Sequence, residues 1–424
     1  MTLPSALAEQ TLIRMLGAPI KEVQYVIGFR TPNGRLLALD RRAAVTRIWF
    51  MPPSRPIDGV VYVPHARNDN LNGPLSQLNS PTARRAEIAS EDALRAFVTW
   101  YSITATNNLF IDYENEDFPS SNLPDGKHRL ATNWDEILWA AITVGRPNTF
   151  HVFRHGTASL HEARFRFSMV RMALQQRSAS GQKVIRTDLF KRMDPTEKGA
   201  VNYFLGLILC KLFSAKLLDA PWTIHLDVFR SWLAPGLLAG RSRPDMVARS
   251  DVTGHWHAFE CKGRASNPGE EEKRKAKAQA CRLVRVGGSI CQLHVGCITF
   301  FRNDTVEFYW RDPEPDKGSG IELPETPAMW RAYYEPFYSA YNDAVANTGA
   351  DQASDGLVRL NQLDLGLAIH PKIEPFLKEQ KWGAVRAAAS DLREEFEKSG
   401  YHADGLKVVA GGSWLNRFVE DQFE

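Results

Sequence analysis

The sequence predicts an α/β protein of the α+β, multi-domain kind, and three observations carry that reading. Between residues 191 and 330 helical and strand patterns alternate in the order helix, three strands, helix, two strands. The first 105 residues break short apolar runs with turn signals, as a β-rich domain does, and beyond residue 331 the periodicity becomes helical. A chain of 424 residues, 44% hydrophobic and 24% charged, has the length for two or three cores and an ordinary globular composition. The expected division is a β-rich N-terminal domain (1–105), a connecting α/β region (106–190), a central α/β domain (191–330) and a mostly helical C-terminal region (331–424).

Strands at 23–29 and 35–39 flank Asn33-Gly34, the strongest short hairpin signal because both residues tolerate positive φ. A strand at 46–51 follows, and Ser90 caps a helix that runs to 101. Arg14, Arg30, Arg35, Arg41, Arg42, Arg47 and Arg67 interleave with Tyr25, Phe29, Trp49 and Phe50. That mixture suits a nucleic-acid recognition module and equally an ordinary small β-domain. In the connecting region His151, His155 and His161-Glu162 lack the HExxH pattern or Cys partners of a zinc set.

The central domain opens on Asp194-Pro195-Thr196-Glu197, with Asp194 as N-cap, Pro195 as first helical residue and Glu197 as capping-box partner of a long helix ending near 218. Next come a strand at 222–229, a hairpin of strands 246–249 and 255–259, a helix at 268–285, and strands at 291–301 and 306–310. Helices at 328–345, 373–380 and 382–399 end the chain, with 347–356 as a linker.

The 246–259 hairpin concentrates the chemistry. With its turn centred on Val252 and Thr253, residue numbers across it sum to 505, which sets Asp245 opposite Glu260. Side chains alternate along a strand, so Glu260 and Lys262 share Asp245's face, while Met246, Ala248, His257, Phe259 and Cys261 form an apolar face suited to burial. A surface hairpin with a cross-strand Lys and Glu pair would not present so apolar a second face. Hard divalent cations such as Mg2+ (Mn2+ is an alternative) take oxygen ligands, so Asp245 and Glu260 are the candidate metal ligands. Lys262 is a compact charge able to position water or neutralise developing anionic charge.

Arg243-Pro244-Asp245 followed by Glu260-Cys261-Lys262 resembles the motif of the PD-(D/E)xK phosphodiesterase superfamily, the restriction-endonuclease-like nucleases. Pro244 and Asp245 match its first half; Glu260 and Lys262, with Cys261 as the free position, match the second. The resemblance implies a restriction-endonuclease-like αβββαβ core with one strand added, and a Mg2+-dependent endonuclease acting on DNA in bacterial restriction or antiviral defence. It implies catalytic roles for Asp245, Glu260 and Lys262, and a further carboxylate from Glu197, although a capping box explains Glu197 without catalysis. Gln279 resembles the helix-borne polar residue that supports such a site. The following helix is basic: from 262 to 285 eight Lys or Arg face three Glu. Lys273 and Lys277 are therefore expected along a phosphate backbone, with Arg243 and Arg249 on Asp245's face as alternative phosphate contacts. A non-catalytic nucleic-acid-binding or scaffold protein, and a recombination or transposition nuclease, are the rival readings.

The formal charge of +3 hides a gradient, since Lys and Arg exceed Asp and Glu by eight before residue 331 and fall short by five from 331 onward. The basic body is compatible with DNA, and the helical C-terminal region is expected to dimerise or bind a partner protein. Cysteines 210, 261, 281, 291 and 297 form no CxxC pair and read as buried thiols of a reducing cytoplasm. No signal peptide is read, and the 200–218 run is interrupted by Asn202, Lys211, Ser214 and Lys216, so neither secretion nor membrane insertion is expected.

Overall fold

The computed structural model of the chain describes residues 3–31, 35–43, 45–51, 54, 56–81, 83–102, 109–119, 123–145, 157–177, 182–229, 243–312, 321–348 and 357–415. The protein is mixed α/β, and the chain divides into two compact units, Met1–Ala105 and Thr106–Val419.

In the first unit, β1 (Lys21–Glu22), β2 (Val26–Arg30), β3 (Leu36–Asp40), β4 (Thr46–Phe50), β5 (Val60–Val63) and β6 (Arg84–Ile88) form an antiparallel sheet in the order β1-β2-β3-β4-β6-β5. β2 and β3 pair with Val26 opposite Asp40; Asn33-Gly34, between them, lies outside the described residues. Helices Ser5–Leu16 and Glu91–Tyr101 cover one face, and Leu71, Leu75 and Leu78 the other. Gly28 permits that second layer, because a Cβ there would lie 2.4 Å from Leu75 Cδ1. Ser90 caps its helix by accepting from the Ala93 N–H. The interleaved arginines and aromatics divide, with Arg14, Arg30, Arg42, Arg67 and Tyr25 exposed and the rest turned inward. Phe29, Trp49 and Phe50 are buried, Arg41 bridges Glu9 and Glu22, Arg47 pairs with Glu87, and Arg35 lies 3.9 Å over the Tyr101 ring.

The second unit contains β7 (Leu109–Glu116), β8 (Gly126–Thr132), β9 (Leu174–Gln176), β10 (Val184–Arg186), β11 (Trp222–His225), β12 (Met246–Arg249), β13 (Trp256–Gly263), β14 (Leu283–Val286), β15 (Ser289–Arg302), β16 (Thr305–Arg311) and β17 (Ile321–Leu323). Its main sheet runs β11-β12-β13-β15-β16-β10-β9, with β7 and β8 joined to β16, and β14 and β17 to β15. A long helix, Pro195–Leu217, precedes the antiparallel β11, β12 and β13; a crossover helix, Glu270–Ala280, then leads through β14 to β15, which is parallel to β13. The two helices sandwich the sheet. Phe213 of the long helix stacks on Phe308 at 4.0 Å, whereas Lys273 of the crossover helix lies 4.2 Å over Tyr309, the next residue and so the other face.

Two expectations here need correction. The 222–229 strand stops at His225, because Leu226–Phe229 coils into a 3-10 turn, with the Leu226 N–H to Asp245 carbonyl bond as the last rung of the ladder. The long helix, read as too interrupted to span a bilayer, is long and apolar enough to do so, the one such helix among the described residues. Most of it is buried within the unit, Asn202, Lys211 and Ser214 included.

The regions 106–190 and 331–424 are not separate bodies, since one apolar cluster runs from Leu109 to Trp414. Helices predominate in the described C-terminal region, but a three-stranded antiparallel sheet of β18 (Val358–Leu360), β19 (Leu365–Ile369) and β20 (Leu406–Ala410), not expected from the sequence, accompanies helix Pro327–Thr348. β19 is buried along its whole length, so it shows no alternation, and a short continuous apolar run does not announce its period. The linker expected at 347–356 lies outside the described residues from 349 onward, as do His151 and His155.

Candidate active site

The β12/β13 hairpin sets the site. Ser250 closes the turn, its N–H donating to the His255 carbonyl and its Oγ accepting from Thr253, while Gly254 takes φ 70°. The resulting register pairs Met246 with Phe259 and Arg249 with Trp256, each summing to the anticipated 505. Continued by one residue, it brings Asp245 beside Glu260. Asp245 Oδ2 accepts from the Cys261 N–H at 2.9 Å, and its backbone carbonyl accepts from Leu226 at 2.8 Å, so the carboxylate is held by β13 and the main chain by β11. β13 extends through Gly263, which carries Glu260 and Lys262 on one regular face, and their Oε1 and Nζ are hydrogen-bonded.

Burial of this group has a structural cause. Glu260 is in register with Gly296 of β15, where a Cβ would lie 2.6 Å from Lys277 N, so the missing side chain lets the crossover helix close against the sheet. Glu260 is consequently only 1% exposed, and its Oε2 is buried with no hydrogen-bond partner among the described residues. Burial drives the pKa of Glu260 up to about 8, the adjacent Asp245 charge adding and Lys262 opposing. Burial likewise raises Asp245 to about 6, against the Cys261 N–H and Lys262. A buried and a half-buried carboxylate repelling each other, the buried one with an unused oxygen, fit an oxygen-ligated cation.

Around this pair the structure adds groups the sequence did not single out as functional. His225 Nδ1 accepts from the Asp227 N–H, which leaves the proton of a neutral ring on Nε2, facing Tyr203 Oη at 3.0 Å. Burial keeps that ring neutral by lowering its pKa to about 4. Burial also raises the Tyr203 hydroxyl, and the Asp245 charge raises it further. Asp227 accepts a hydrogen bond from Arg243. Tyr203 sits 42 residues before Asp245 in an apolar helix, and no local pattern marks it.

The remaining predicted residues are not gathered here. Glu197 stands exposed in the first turn of the long helix, and Asp194 caps the Thr196 N–H at 2.8 Å, so the reciprocal capping box is not what starts this helix. No described contact joins Glu197 to Asp245 or Glu260. Lys277, expected on a phosphate backbone, is buried and bonded to Asp312 at 2.8 Å and the His294 carbonyl at 2.6 Å. Lys273 is drawn to Glu270 and the Tyr309 ring, and Gln279 is half-buried. Arg243 is paired with Asp227, and Arg249, at the far end of β12, lies 3.7 Å from Glu325 and over Trp256. The outward charges of the crossover helix are instead Glu270, Glu271, Arg274 and Lys275, the last paired with Glu271. No family model matches the sequence, and no curated protein or solved structure matches the chain.

Proposed function

We propose that this protein is a Mg2+-dependent nuclease that hydrolyses phosphodiester bonds of DNA, as an endonuclease of the PD-(D/E)xK kind built on a restriction-endonuclease-like core. The observation that carries the reading is the buried, unpartnered Glu260 Oε2 beside Asp245, with Lys262 on the same face. Asp245 and Glu260 would hold the cation, Mg2+ or Mn2+. Such a cation supplies Lewis acidity toward a phosphoryl oxygen and lowers the pKa of water. The chain's own residues do the rest. The backbone bonds from Cys261 and Leu226 hold Asp245 in one orientation, so little reorganisation is needed when substrate binds. Lys262, hydrogen-bonded to Glu260 Oε1 and half-buried, can orient the attacking water or offset charge on the phosphate. Exclusion of water by the crossover helix strengthens each of these interactions. A role in bacterial restriction or antiviral defence follows only from the resemblance of the motif.

The test is cleavage of linear, circular, branched and modified DNA, and of RNA, with Mg2+ or with EDTA, by wild type, Asp245→Asn and Lys262→Ala. Metal-dependent cleavage by wild type, lost in both variants, is the expected result. Cleavage that survives both substitutions or ignores EDTA would overturn the mechanism. Binding of DNA by a wild type that cleaves nothing would favour the scaffold reading.

A further inference from the structure

Alternation along β13 sends Cys261 to the face opposite Glu260 and Lys262, into the layer beneath the long helix. There its sulfur meets those of Cys210, from the long helix, and Cys297, from β15. All three residues are buried, and the three Sγ atoms lie within 4.8 Å of one another. Cys261 and Cys297 are direct neighbours in parallel register, with sulfurs 3.7 Å apart. A tetrahedral ion with metal–sulfur bonds of about 2.3 Å holds its sulfurs about 3.8 Å apart, so the Cys261–Cys297 edge already matches and the other two need to contract by at most about 1 Å. The three residues also stand on a helix and two central strands rather than on loops, which favours a site of defined geometry.

We propose that Cys210, Cys261 and Cys297 form a thiolate site for a soft d10 cation, zinc or copper(I), which ties the long helix to β13 and β15 directly behind the candidate active site. Soft sulfur donors select such ions, whereas Mg2+ takes oxygen, so the two faces of β13 sort cations by donor type. Each thiol that binds releases its proton to solvent. No fourth His, Cys, Asp or Glu completes the set among the described residues. Copper(I) is satisfied by three thiolates, while zinc prefers a fourth donor, so copper(I) is the better match. The site stands whether or not the chain cleaves DNA.

The experiment is metal analysis of the full chain, as purified and after the reduced protein is loaded with zinc or with copper(I), read by native mass spectrometry and elemental analysis. One ion per chain is expected, lost in Cys210→Ser and Cys297→Ser and kept in Cys281→Ser, Cys291→Ser and Asp245→Asn. Cobalt(II) loaded in place of zinc should show thiolate-to-cobalt charge-transfer absorption, which carboxylate ligands do not produce. Because the Cys210 and Cys297 variants also alter the core, the wild-type stoichiometry and the cobalt spectrum decide the matter without them. A reduced wild type that takes up neither zinc nor copper(I), or whose cobalt form lacks sulfur charge transfer, would overturn the proposal and leave three close-packed thiols acting as small hydrophobes.

Discussion

The second unit buries two sets of charges, and they are finished differently. At one, Asp404 accepts from the Trp139 indole N–H at 2.8 Å, the Tyr333 hydroxyl at 2.7 Å and the Leu406 N–H at 3.0 Å. Lys211 donates to Tyr333 at 2.6 Å and to the Pro221 carbonyl, with its ammonium 4.2 Å over the Trp139 ring. Burial draws Lys211 down to about 7 and Asp404 up, yet each carboxylate oxygen and the ammonium has a partner. At the other, the buried Glu260 lies beside the half-buried Asp245 and Lys262, and Glu260 Oε2 has no partner among the described residues. A closed network is a structural joint, here fastening the C-terminal sheet to the core; an open one is arranged for something from outside.

The sharpest way to break this contrast is to remove a carboxylate from each set. Asp245→Asn should lower metal-dependent cleavage on the order of a thousandfold, about 4 kcal/mol of transition-state stabilisation, with the melting temperature little changed. Asp404→Ala should do the reverse, lowering unfolding free energy by about 3 kcal/mol in a urea titration because it strands a buried ammonium, with cleavage per folded molecule retained. Equal loss of stability in both variants would erase the distinction.

A smaller effect concerns pH. Asp245 and Glu260 bind their protons more tightly folded than unfolded, so their contribution stabilises the metal-free fold in acid and is lost as pH rises through about 6 and about 8. Metal-free wild type should therefore lose stability between pH 5 and pH 8 relative to Glu260→Gln, by on the order of 2 kcal/mol. Saturating Mg2+ at pH 8 should offset that loss in wild type only. Parallel melting curves for the two proteins across this range would contradict the open-site reading. The slightest effect is expected on the crossover helix. Lys275→Ala, at an exposed position, should reduce the salt-dependence slope of DNA binding by about one, without altering stability. An unchanged slope would remove this helix from the phosphate path.

Much of the hairpin was legible because its determinants are local. A Ser-Asp-Val-Thr-Gly turn and alternating side chains are enough to set the 505 register and to bring Asp245, Glu260 and Lys262 onto one face. The start of the long helix was readable for the same reason, although Asp194 caps Thr196 and Glu197 is left exposed. The basic count of the crossover helix was a poorer guide, since composition does not say which lysines face the sheet. Lys277 faces inward because Gly296 lets the helix approach, a fact that resides on another strand.

By itself, then, the sequence determined elements whose cause lies within a few residues: caps, turns, the hairpin register and the pairing of two carboxylates with a lysine. Only the tertiary structure decided which polar groups lose water and which are answered. That set Tyr203 against His225 and within reach of the Asp245 charge, left Glu260 Oε2 without a partner among the described residues, and closed Cys210, Cys261 and Cys297 into a triangle. Desolvation depends on packing between residues far apart in the chain, and local pattern does not encode it.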